Sequence, residues 1–111
     1  MTIATVEASA DHGAVRIRLS GEIDLENVST VDEQICAAVS GQPTGVSVDL
    51  TNLTYMDSAG IRSLFELVSH LQKSNIALKL IAPFESPARR LIQFSGLDSL
   101  VVLSPTAANF P

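Results

Sequence analysis

The chain has 111 residues, enough for one domain, and 46% of them are hydrophobic, enough for one core that must be mainly aliphatic because tryptophan is absent. Twelve acids against seven bases give a formal net charge of −5. That argues against direct nucleic-acid binding, which needs a basic stripe to displace counterions, and against an anionic membrane surface. The longest apolar runs fall far short of the ~20 residues that span a bilayer. Residues 1–11 hold no charged-then-apolar leader, and the single Cys36 lacks an internal partner. A reducing, cytoplasmic setting is expected.

Residues 3–8 read as a first strand and residues 9–13 as a turn. Residues 14–21 ("AVRIRLSG") alternate, with Val15, Ile17 and Leu19 on one face and Arg16, Arg18 and Ser20 on the other. This is the pattern of a half-buried strand, paired with the first in a hairpin. A helix follows, with Val28, Val31, Ile35, Ala38 and Val39 at three- and four-residue steps and Asp24 or Asn27 as its cap. "SGQPT" at 40–44 breaks it. Residues 45–50 predict a short central strand. The second helix has Ser58 as its cap, buries Ile61, Leu64, Phe65, Val68 and Leu71, and stops near Ser74 and Asn75. Residues 76–82 form the next strand. Ser86 as cap, Pro87 at the first helical position and Gly96 at the end delimit a third helix. Residues 100–103 make a last strand, and 104–111 a loose C-terminal tail. The order β-β-α-β-α-β-α-β predicts a single α/β domain over 1–103. Its sheet is mixed and mostly parallel, with an antiparallel N-terminal hairpin at the edge and three or more helices.

A catalytic set is hard to assemble. Ser58 and Gly60 match half of a nucleophile elbow, but Met56 stands where the first glycine belongs. His12 lies in a turn, and His70 lies about 18 Å along the helix from Ser58 at 1.5 Å per residue. One Cys and two separated His give no short-spaced metal pair. Asp24, Asp49 and Asp57 are placed to cluster at strand ends, where acids are more often loop formers than ligands. Gly41 and Gly45 flank a Pro turn without forming a phosphate cradle. Cys36 reads as a small buried thiol beside the apolar stripe of the first helix. Arg89 and Arg90 read as a solvated basic pair, with an acidic partner as the sharper alternative. Neither an enzymatic activity nor a cofactor is expected.

Ser58 carries more. A serine after a central strand emerges at the carboxyl edge of the sheet, where open α/β sheets place their functional surfaces. A phosphate there would face unpaired N–H groups and the positive end of the helix dipole.

Three stretches, "LSGEIDLENV" at 19–28, "VSVDLTNLTYMDSAGI" at 46–61 and "SPARRLIQFSGLDSLVVL" at 86–103, resemble the signature stretches of STAS domains. The similarity is greatest to bacterial anti-sigma factor antagonists, and "MDSAG" is its most specific part. The resemblance implies a binding protein that is a substrate and not an enzyme. In that family the serine matching Ser58 is phosphorylated by an anti-sigma factor that is also a serine kinase. The unphosphorylated antagonist holds that factor and frees a sigma factor, and a separate serine phosphatase resets the switch. Asp24 and Asp57 match family acids near the phosphosite. The implied contact surface is Asp24, Asp57, Ser58, Ala59, Gly60 and Arg62, with Arg62 a departure from the small or apolar residues common there. Two alternatives from other classes are a fixed STAS-type subunit of a lipid-transport or transporter complex and a small nucleotide-binding module.

Overall fold

The computed structural model describes residues 2–107. The alternation in "AVRIRLSG" is realised: Ile17 and Leu19 are buried and Arg18 is exposed. This strand, β2 (Ala14–Ile23), pairs antiparallel with β1 (Ala4–Asp11). The connection is His12-Gly13, both with positive φ (52° and 87°), the left-handed pair whose twist suits a two-residue hairpin. Three parallel pairings follow, β2 with β3 (Gly45–Met56), β3 with β4 (Leu78–Ile81) and β4 with β5 (Val102–Ser104), so the sheet order is β1-β2-β3-β4-β5. Between them run α1 (Val28–Val39), α2 (Ser58–Gln72) and α3 (Pro87–Ser95), and a short 3-10 turn at Leu97–Ser99 precedes β5. The expected α/β architecture and hairpin edge are thus present. The core joins Ile17, Val48, Leu50, Leu80 and Ile92 of the sheet and α3 with Val31, Ile35 and Val39 of α1 and Ile61, Leu64, Val68 and Leu71 of α2.

Strand β3 does not stop at Leu50. It runs on to Met56, and beyond Asp49, which pairs with Ile81 at the end of β4, it pairs with β2 alone. Two register shifts explain why alternation conceals this. Arg18 faces Asp49 but Ser20 faces Asn52, and Gly21 faces Leu53 but Glu22 faces Tyr55. Each shift inserts one extra residue into β3, so the buried residues Leu50, Leu53 and Met56 fall three apart instead of two. The extension lifts the β3–α2 junction at most roughly 23 Å past the end of β4, at 3.3 Å per residue.

Three expectations about side chains change. Cys36 is exposed, because it sits about 100° around α1 from the buried Ile35. Phe65 is only half-buried, and Leu67 takes a core position on α2. Arg90 is exposed as expected, but Arg89 is buried: α3 turns it inward between Ala88 and Ile92, and its Nε donates to the Ala82 carbonyl at 2.8 Å.

The ends of α3 match expectation. The Ser86 hydroxyl accepts the Arg89 N–H, Pro87 opens the helix, and Gly96 closes it at φ 84°. The last strand begins at Val102 rather than at residue 100, and it includes Ser104, whose carbonyl accepts the Ala82 N–H at 2.8 Å. Of the tail expected at 104–111, residues 108–111 lie outside the described residues. Among the described residues, no helix is long and apolar enough to cross a membrane.

Candidate functional site

The paired ends of β2 and β3 build the site. The Asp57 N–H donates to the Ile23 carbonyl at 3.3 Å, which fastens the start of α2 to the end of β2. Asp57 is extended (φ −106°, ψ −165°), and its carboxylate accepts the Ala59 N–H at 2.9 Å. Its carbonyl also accepts the Gly60 and Ile61 N–H groups at 3.1 and 3.3 Å. Asp57 is therefore the cap. The expectation that Ser58 caps the helix is wrong, because the long β3 brings the chain in extended form up to Asp57 and leaves Ser58 as the first helical residue.

Ser58 is exposed, and its hydroxyl has no hydrogen-bond partner among the described residues. Asp57→Ala should consequently cost about 1 kcal/mol of stability. Ser58→Ala should stay within about 0.5 kcal/mol of wild type. Urea midpoints of the two variants check the assignment, and equal losses would return the cap to Ser58.

Ala59 is half-buried, Arg62 is exposed and Gly60 is buried. A Cβ on Gly60 would stand 2.3 Å from Met56 Cγ and 2.7 Å from its Sδ. The missing side chain lets the first turn of α2 lie flat against the end of β3.

Directly after Ile23, Asp24 enters the same edge. Its carboxylate accepts the Thr2 hydroxyl at 2.7 Å and the Glu26 N–H at 2.9 Å. Asn27 occupies the capping position of α1, but its side chain is committed to the loop, donating to the Glu22 carbonyl and accepting the Asp24 N–H. Neither Asp24 nor Asn27 caps α1 through its side chain, contrary to expectation.

The Thr2 hydroxyl, opposed by partial desolvation and aided by backbone N–H groups, holds the Asp24 carboxyl below its ordinary value of 3.8. A depressed folded-state pKa stabilises the fold above the unfolded value and ceases to do so as pH falls through the folded one. The melting-temperature gap between wild type and Asp24→Ala should therefore be full at pH 7 and shrink below about pH 4. A gap that is constant down to pH 2 would show that the carboxylate's charge contributes nothing.

Asp24, Asp57 and Ser58 thus meet at one edge. Asp49 does not join them: it is buried within β3, and its carboxylate accepts the Thr51 N–H at 2.9 Å. Among the described residues, no His/Cys/Asp/Glu group could hold a metal ion. His70 is exposed in the last turn of α2, and His12 pairs with Asp11 at the far hairpin. An open cavity of about 500 Å³ lies at the opposite end of the sheet, among Ser9, Arg16, Ser47 and Lys79.

Sequence reasoning missed two apolar neighbours of the site. Leu25 follows Asp24 and is 78% exposed, and Tyr55, paired with Glu22, is 48% exposed. The available signal for Leu25 was a large apolar residue between two acids in a loop, where alternation and helical spacing give it no core to face.

Comparison with known proteins agrees with this geometry. The model of the STAS domain matches residues 5–109. The anti-sigma-F factor antagonist RsfB of Mycobacterium tuberculosis is 31% identical over 98 residues, covering 87% of this chain and 79% of its own. The crystal structure of an anti-sigma factor antagonist from Mycobacterium paratuberculosis superposes with a TM-score of 0.80 at 25% identity, over 95% of this chain and 88% of that one. The antagonist SpoIIAA matches in its unphosphorylated form (TM-score 0.70, 26% identity, 90% of this chain and 88% of that one). It also matches in the phosphorylated form from Bacillus (TM-score 0.64, 26% identity, 90% of this chain and 91% of that one). These relatives are regulatory binding proteins and not enzymes. With the family match spanning nearly the whole chain and a curated antagonist at 31% identity, the chain belongs to the STAS-domain family and is a homologue of the anti-sigma factor antagonists.

Proposed function

We propose that the chain is a cytoplasmic anti-sigma factor antagonist: unphosphorylated, it binds a kinase-type anti-sigma factor and so frees a sigma factor. Phosphorylation of Ser58 by that kinase switches it off, and a serine phosphatase restores it. The observation that carries the reading is Ser58 itself, exposed at the start of α2 with a hydroxyl that has no partner among the described residues, at the sheet edge where the carboxylates of Asp57 and Asp24 are held. Exposed Leu25 and Tyr55 beside it supply the apolar surface that a protein partner would cover. The match to a relative solved in both phosphorylated and unphosphorylated forms supports the same reading.

Incubation with the anti-sigma factor and ATP should put one phosphate on the peptide containing Ser58, read by mass spectrometry. Phosphate on another residue alone, or none, would overturn the switch.

The phosphate would add about −1.5 to −2 charge. It would meet the favourable helix N-terminus and, at the same time, the Asp57 carboxylate. Arg62 is four residues along the same exposed face, so its guanidinium can pair with the phosphate for roughly 1 kcal/mol or less. Phosphorylation should then shift the melting temperature upward more in wild type than in Arg62→Ala. Identical shifts would remove Arg62 from the switch.

A further inference from the structure

The loop after β4 holds an arrangement that the Ser58 switch does not use. Arg89 is 7% exposed. Its Nε is taken by the Ala82 carbonyl, and its buried Nη2 has no hydrogen-bond partner among the described residues. One face of the guanidinium is covered by the Phe84 ring, whose centroid lies 4.7 Å from the guanidinium carbon. Phe84 itself is 72% exposed. The ring therefore screens the cation while most of its own surface stays in water.

A buried charged donor left without an acceptor is costly, and an exposed aromatic side chain is unfavourable too. A single docking event removes both costs. Displacing the ring on docking would open the side of the guanidinium that lies against it to an acceptor. Aromatic side chains and desolvated arginines are the residue types that anchor protein interfaces.

We propose that Phe84 and Arg89 form a second anchor for the anti-sigma partner, which receives the Phe84 ring in an apolar pocket and presents an Asp or Glu carboxylate to the uncovered Arg89. The inference rests on the reading that such a partner binds at Ser58. A carboxylate is the complementary group because the guanidinium is a permanent cation whose Nη edge is its unpaired side. A protein fits better than a small anion, since an anion would leave the Phe84 ring uncovered.

The location is compatible with one partner. The Phe84 loop follows β4 and Ser58 opens α2 after β3, so both lie at the carboxyl end of the parallel strands, with Ser58 beyond the β3 extension. Contact at both points therefore needs a partner that covers at least a standard interface, about 800 Å² on each side.

Titration calorimetry with the kinase-type anti-sigma factor tests the anchor, using wild type, Phe84→Ala, Arg89→Lys and the double variant. Phe84→Ala should bind at least tenfold more weakly while melting within about 3 °C of wild type, because an exposed ring contributes little to folding. Arg89→Lys should also bind more weakly, and the double variant should be weaker than either single one, because the ring and the guanidinium make separate contacts. Should Arg89→Lys fail to fold through loss of its bond to Ala82, the Phe84→Ala affinity decides alone. Unchanged affinity for Phe84→Ala overturns the anchor and leaves the Ser58 switch standing. Unchanged affinity for a folded Arg89→Lys overturns the carboxylate contact. No binding by wild type overturns the anchor together with the antagonist reading.

Discussion

Ser58→Glu should fold, melt within about 3 °C of wild type and bind the kinase-type anti-sigma factor at least tenfold more weakly. The fold has little to lose at this position. The Ser58 side chain is exposed, its hydroxyl has no partner among the described residues, and the capping work belongs to Asp57. Surface substitutions of this kind stay within about 0.5 kcal/mol, and a carboxylate in the first helical turn gains from the dipole while losing to Asp57 beside it. Binding is another matter. A partner that covers Leu25 and Tyr55 would draw the new carboxylate out of water next to two acids that are already held in place. An unpaired charge in a desolvated interface costs about 3–5 kcal/mol, so tenfold is the conservative expectation. Calorimetry on wild type, Ser58→Ala and Ser58→Glu separates the terms. Ser58→Ala should bind like wild type, and equal affinity for Ser58→Glu would rule out an electrostatic switch.

The sequence was most legible where local chemistry and tertiary packing agree. Ser86, Pro87 and Gly96 bracket α3 as read, because a cap, a fixed φ and a left-handed glycine are each decided within a few residues. The alternation of β2 is equally local. Legibility failed where a neighbour decides the outcome. Two bulges in β3 depend on how it meets β2, and they turn the buried spacing from two to three. The same extension moved the cap from Ser58 to Asp57, since tandem acid and hydroxyl are both good caps and only the path of the strand chooses. Arg89 misled for a related reason. A charged pair reads as solvated, yet its place between Ala88 and Ile92 on a short helix turns the first of the pair inward, where the Ala82 carbonyl receives it. Ser58 reads as a carboxyl-edge residue from its place after a central strand, and Asp24 and Asp57 as strand-end acids; their roles around a phosphosite come from resemblance. The junction at the Ile23 carbonyl that brings them together is a tertiary contact without a sequence signature.

Gly21→Ala should cost about 2–4 kcal/mol and loosen the Asp24 side of the site. Gly21 has φ +91°, a conformation that costs an L-residue about 1–2 kcal/mol. Its added Cβ would also stand 2.4 Å from the Ile3 carbonyl oxygen and 3.3 Å from Ala4 Cα. Both are backbone atoms of the strand entry, so no side-chain rotation relieves the contact. The Ile3 carbonyl would have to move, and it accepts the Glu22 N–H at 2.9 Å, a bond worth about 1 kcal/mol. Gly21 also sits at the second register shift of β2 against β3, so the distortion is handed toward Ile23 and the start of α2. Thr2, next to Ile3, holds the Asp24 carboxylate, and its displacement should return the Asp24 carboxyl toward its ordinary value. Two measurements follow. The urea midpoint should fall with little change in slope, and the acid dependence of stability that Asp24 confers should weaken in the Gly21→Ala background. Stability within 0.5 kcal/mol of wild type would show that β1 can retreat from Gly21 freely. An unchanged Asp24 titration despite lost stability would show that the Thr2–Asp24 bond is held independently of the strand entry.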